Sequence, residues 1–182
     1  MTTNTRVIID YVSSTIRESL GIYEGDFDIE NIVSRLNGKI EYFSENITEE
    51  IIKGAWQESI KGYDESDISF TIRINENNVK TRQRFSIAHE LGHLFLHMGY
   101  LKDDWNAIPV GEKYKRELGT YTAIEEEANE FAGAFLMPSS LFIEKAKKTA
   151  SESYYNLDKI AEYFNVSVSA VLYRGRNLGL WR

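Results

Sequence analysis

Apolar positions along the chain follow two periods. Ile8, Tyr11, Val12, Ile16 and Leu20 recur every three or four residues, which predicts a helix with one face on a core, and Gly21 ends the run. Asp28 stands as an N-cap before Ile29, Ile32, Val33 and Leu36, and Asn37-Gly38 supplies the stop. The segment KIEYFS reads as a strand. A period of two is clearest in DISFTIRIN, where Ile68, Phe70, Ile72 and Ile74 alternate with polar residues and predict a half-buried strand. Turn residues Asn75 to Asn78 separate it from a helix over Thr81 to Met98.

From Gly99 to Gly119 no period is visible, so this stretch, with Trp105, Pro109 and Gly111, is expected to be a loop long enough to carry function. TAIEEEANEFAGAFLMP then predicts a helix closed by Pro138, with Ile124, Ala128, Phe131, Ala132 and Phe135 as its apolar face. A further helix follows near Leu141 to Lys148. The tail LDKIAEYFNVSVSAVLYRGRNLGLW reads as helix, turn at Asn165-Val166-Ser167, helix. The pattern predicts an α+β fold, mostly helical, with a small antiparallel sheet beside the Thr81–Met98 helix. Residues 1–150 form the main domain, and 151–182 a helical hairpin packed on it or appended to it.

Composition narrows the chemistry. The 182 residues, 42% hydrophobic and 27% charged with mixed sign, suit a globular protein with one core. A net charge of −7 disfavours non-specific nucleic-acid binding. There is no cysteine, so any metal must be held by His, Asp or Glu. The first residues lack a basic head with an apolar core, and no apolar run reaches membrane-spanning length, so a cytoplasmic location and no membrane partner are expected.

All three histidines lie in FSIAHELGHLFLH. His89 and His93 are four apart, one turn apart on one helix face, where two imidazoles can share a cation. With Glu90 between them they make H-E-x-x-H, in which both His bind zinc and the Glu is a general base. His97 lies about 12 Å along the axis from His89 at the usual rise per residue, too far to share its metal. The longer zinc motif with a third histidine needs Gly and His where this chain has Leu96 and Gly99. His97 is therefore expected to be structural, with a place behind a ligand histidine or on the substrate side as the alternatives.

A catalytic zinc needs a third protein ligand, here a carboxylate. Glu125-Glu126-Glu127 opens a helix whose Ala128, Ala132 and Gly133 permit close approach to the histidine helix. Glu125 can ligate, while Asn129, one turn on, can fix a ligand histidine through its other ring nitrogen. Glu126 is the substitute. Against both, Thr122-x-x-Glu125 is a capping box that would occupy Glu125 with a backbone amide.

TRQRFSIAHELGHLFLH followed by IEEEANEFAGAFLMP resembles the ImmA/IrrE family of bacterial and phage metallo-endopeptidases, over Ile68 to Pro138 and more weakly the tail. The resemblance implies a zincin-like domain, one catalytic zinc on His89, His93 and Glu125, and Glu90 as catalytic base. It also implies a protein substrate, a helix-turn-helix transcriptional repressor whose cleavage induces genes.

The tail itself resembles a helix-turn-helix, with Ser167 as N-cap and Asn165 at the left-handed turn position. A recognition helix reads bases with its N-terminal residues, and here those are Ser167, Val168, Ser169 and Ala170. A packed or protein-contacting role is therefore expected, not direct nucleic-acid binding. Gly175 departs from the family, where a leucine-like residue is commoner. The rival reading is a non-catalytic regulator that grips DNA or a repressor through this tail, with zinc structural or absent.

Overall fold

The computed structural model describes residues 1–44, 49–54, 68–112, 121–151 and 154–181. In chain order these form α1 (Thr3–Ser19), α2 (Ile29–Arg35), β1 (Gly38–Phe43), β2 (Glu50–Lys53), β3 (Phe70–Asn75), α3 (Lys80–Leu96), α4 (Asp104–Ala107), α5 (Tyr121–Leu136), α6 (Ser139–Thr149), α7 (Leu157–Phe164) and α8 (Val168–Asn177). The α+β class stands. Asp28 caps α2 by accepting from the Asn31 amide, and Asn37 takes positive φ just after that helix.

The sheet corrects one expectation: it is mixed, not antiparallel. Its order is β1-β3-β2, with β1 parallel to β3 and β2 antiparallel to it. Alternation along a strand reports which faces are covered and carries no information on the direction of the neighbour. Nor is β3 half-buried. Thr71, at a polar position, is fully buried and donates to the Gly54 carbonyl at 2.8 Å, while Arg73 pairs with Glu50 at 2.9 Å. The four-residue β2 escapes periodicity because its adjacent Ile51 and Ile52 are both buried.

The face of α1 is also corrected. Ile8 and Tyr11 are exposed, and the buried stripe is Ile9, Ser13, Ile16 and Arg17. Ser13 and Arg17 disguise that stripe as a polar one. Arg17 is there for a backbone reason: its NH1 donates to the Phe135 carbonyl at 2.6 Å, in the last turn of α5, where helical acceptors lack helical partners. Its NH2 donates to the Glu24 carbonyl at 2.6 Å. Burial, with Arg84 nearby, pushes the Arg17 pKa down to about 10, which leaves it charged at neutral pH.

The pair α3 and α5 forms the centre, the most extensive helix contact of the molecule. Ala128, Phe131, Ala132 and Phe135 are fully buried there. A Cβ on Gly92 would sit 3.1 Å from the Cα and carbonyl oxygen of Ala128 and 3.2 Å from Phe131 Cβ. Side chains therefore do not separate the helices at this crossing. The loop expected after α3 contains the short helix α4, and its remainder at 113–119 lies outside the described residues, as does the Thr122 side chain of the supposed capping box.

The tail forms the expected hairpin. Asn165 adopts φ 51° at the turn, and Ser167 accepts from the Ala170 amide at 3.2 Å. Arg174 is only 2% exposed. It donates to Glu130 at 3.1 Å, to the Met137 carbonyl at 3.0 Å and to Asp10, which ties α8 to α5 and α1. Gly175 is explained by Trp181: a Cβ there would lie 1.8 Å from the indole. Trp181 folds back onto Phe142 and Tyr155, donates to the Leu172 carbonyl at 3.1 Å, and so fills the space of a larger residue on the helix.

Candidate metal centre

Along α3 and at its C-cap, residues 89, 93 and 97 stack on one face, and the rings meet in sequence. His89 Nε2 and His93 Nε2 are 3.1 Å apart, and His93 Nδ1 and His97 Nδ1 are 3.0 Å apart. The first turns of α5 lie opposite. Glu125 Oε2 is 3.3 Å from His89 Nε2, and Glu125 Oε1 is 3.4 Å from His93 Nε2. His89, His93 and Glu125 thus form one group able to hold a metal ion, all ligand atoms lying within 4.8 Å of one another. Glu90, beside His89 on α3, is buried and is not part of that group.

The three glutamates of α5 divide between three partners. Glu125 faces the histidine pair. Glu126, half exposed, pairs with the Met1 ammonium at 2.9 Å, and this contact holds its carboxyl below the usual range. Glu127 reaches His97 Nε2 at 3.2 Å. Successive helical residues point about 100° apart, so the three carboxylates diverge from one another. The substitute, Glu126, is thereby placed away from the histidines.

Hydrogen bonds behind the rings fix where their protons sit. The amide oxygen of Asn129 is 3.0 Å from His89 Nδ1, and an oxygen only accepts, so that nitrogen carries the hydrogen and Nε2 keeps its lone pair. Asn129 therefore stands where the sequence suggested. His97 follows the same logic one step further out. An ionised Glu127 accepts from His97 Nε2–H, which leaves His97 Nδ1 as an acceptor for His93 Nδ1–H. Burial lowers the His97 pKa, although Glu127 acts in the opposite direction, and a neutral ring is what this chain of bonds requires. His93 Nε2 is then a lone pair too.

Two ring nitrogens and a carboxylate converge, a donor set suited to one cation. Its size is informative. Zinc binds nitrogen and oxygen at about 2.0–2.1 Å in tetrahedral geometry, which sets ligand–ligand edges of about 3.3–3.4 Å. The two ring nitrogens are 3.1 Å apart and each meets its own Glu125 oxygen, at 3.3 and 3.4 Å, distances close to that edge. Two imidazoles with one carboxylate also suit zinc better than calcium or magnesium, which prefer oxygen. His97 was expected to be structural. Of the roles the sequence left open, the contacts favour the place behind a ligand: His97 lies against His93, four residues back and one turn along the same face.

Among solved structures, a Mycobacterium tuberculosis transcriptional regulator shares the fold, with a TM-score of 0.59 and 17% sequence identity. The match covers 94% of this chain and 50% of that one, so the chain spans about half the length of that protein. No curated protein matches the sequence. A family model, the Peptidase_M78 or IrrE N-terminal-like domain, matches residues 46–175 and so takes in both α3 and α5. Most of the chain, including every residue of the His-His-Glu group, falls within that match, and the chain belongs to the IrrE N-terminal-like family of metallopeptidases.

Proposed function

We propose that the chain is a zinc-dependent endopeptidase acting in the cytoplasm, with a helix-turn-helix transcriptional repressor as its substrate. The observation that carries this reading is the convergence of His89 Nε2, His93 Nε2 and the Glu125 carboxylate within 4.8 Å, with Asn129 and His97 behind the two rings. Three protein donors leave the open position that catalytic zinc sites keep. When bound, the ion supplies Lewis acidity, which acidifies water and draws electron density from a peptide carbonyl.

Glu90 is assigned the proton transfers. It follows His89 directly, is 3% exposed and lies outside the ligand group, the place the general base takes in H-E-x-x-H. It accepts the proton of the attacking water and passes it to the leaving amide nitrogen. His89 and His93 hold position through Asn129 and His97, and Glu125 supplies the negative charge of the ligand set. The repressor as substrate is what the resemblance to the ImmA/IrrE family implies, and the family match supports it. The solved neighbour, titled a transcriptional regulator, is in keeping with a role near gene control. The rival reading, DNA binding by the tail, is disfavoured by the burial of Arg174 against Glu130 and Asp10, where it cannot meet a phosphate.

The test is co-expression with a small helix-turn-helix repressor encoded beside this gene, reading repressor length and reporter output. Wild type is expected to yield fragments and induction. Glu90→Gln keeps zinc and fold but loses about 10²–10⁴-fold in rate, because an amide cannot accept the proton. Induction by Glu90→Gln without fragments in either case would falsify the proteolytic mechanism and leave the metal site standing. Elemental analysis separates the ligands: Glu125→Gln and His93→Ala lose stoichiometric zinc, and Glu126→Gln retains it.

A further inference from the structure

We infer that Glu127 and His97 form a positioning relay that holds His93 as a metal ligand by fixing its ring proton on Nδ1. The inference rests on the metal reading above and adds to it a role for two residues outside the ligand set. The relay runs from Glu127 Oε2 to His97 Nε2 at 3.2 Å, and from His97 Nδ1 to His93 Nδ1 at 3.0 Å. With the His97 ring neutral, one polarity satisfies both contacts. The carboxylate must accept, so His97 donates at Nε2 and accepts at Nδ1, and His93 is left with its lone pair on Nε2, towards Glu125 and His89. Reversing either ring breaks one of the two bonds.

The setting favours rigidity. The side chain of His97 is 10% exposed and that of His93 is 2% exposed, so water competes little for either bond. Helix geometry aligns the two rings, since residues four apart are neighbours on one face. Glu127 comes from α5, two residues beyond Glu125, so the relay and the third ligand arrive on the same helix. The two histidine ligands are thus backed differently. His89 meets a neutral amide, whereas His93 meets an imidazole polarised by a carboxylate, which makes His93 the stronger donor.

The test measures zinc affinity by competition with a chromophoric chelator, together with the ¹⁵N chemical shifts of the His93 ring in metal-free protein. His97→Phe keeps an aromatic ring, somewhat larger than the imidazole, and removes the acceptor. It is expected to weaken zinc binding by about 10–100-fold, the usual cost of removing an outer partner of a metal-bound histidine. His93 should then lose its fixed Nδ1–H tautomer. His97→Asn places an amide oxygen near the position of Nδ1, and it is expected to restore the tautomer and recover most of the affinity. Glu127→Gln should fall between wild type and His97→Phe. A merely structural role for His97 predicts a lower unfolding midpoint with unchanged zinc affinity and tautomer, and that result overturns the relay. So does His93 carrying its proton on Nε2 in metal-free wild type, whether or not zinc binds. Wild type that takes up no zinc overturns the metal reading instead, and the tautomer measurement still judges the relay by itself.

Discussion

Gly92→Ala should weaken the metal site without touching a ligand. The added methyl would lie 3.1 Å from the backbone of Ala128. Carbon atoms pack at about 3.5–4.0 Å, so α5 must retreat from α3 by about half an ångström. Glu125 lies one turn before Ala128 and moves with it. Metal sites tolerate about 0.2 Å in ligand distance, so Glu125 must leave its preferred rotamer to keep contact. That costs about 0.5–1.5 kcal/mol, or about two- to tenfold in zinc affinity. Overpacking adds about 1–3 kcal/mol of destabilisation to the metal-free protein. Gly133→Ala is the internal control. Its Cβ would meet only Arg174 Cδ, at an ordinary 3.9 Å, in the same helix as Glu125. Replacing a helical glycine by alanine where there is room stabilises by up to about 1 kcal/mol. The same chemical change is thus expected to have opposite signs at two sites. Chelator competition gives the affinities and denaturant unfolding of metal-free protein gives the stabilities. Wild-type zinc affinity in Gly92→Ala, or equal destabilisation by both substitutions, refutes the argument that helix approach sets the ligand geometry.

Arg174→Ala leaves Glu130 and Asp10 without their buried cation and is expected to cost about 3–5 kcal/mol in urea unfolding. Exposed Arg176→Ala should stay within about 0.5 kcal/mol of wild type, and neither change should alter a low DNA affinity. Salt-sensitive DNA binding abolished by both substitutions would reinstate the rival reading of the tail. Gly175→Ala must expel Trp181 from the face of α8, with a red-shifted tryptophan emission and a loss of up to about 3–5 kcal/mol, the range for truncating a buried aromatic. If Trp181 is the whole cause, adding Trp181→Ala to Gly175→Ala costs little more, and full additivity contradicts the explanation.

Local chemistry made much of this protein readable from its sequence. The Asp28 and Ser167 caps and the left-handed Asn165 depend on neighbours a few residues away. The histidine pair on one face of a helix follows from helical spacing alone. What the sequence left open were relations between distant segments. The parallel pairing of β1 with β3 depends on how the chain returns to the sheet, which no alternation within a strand encodes. Arg17 lies in the buried stripe of α1 because α5 presents a carbonyl there, 118 residues away. The glutamate triplet shows the division most clearly. Three identical side chains in a row cannot be told apart by type, and only the rotation of α5 against α3 gives one to the histidine pair, one to Met1 and one to His97. Tertiary packing also gave His97 its place behind His93: helical spacing brought the two rings together, but the carboxylate that sets their polarity comes from another helix.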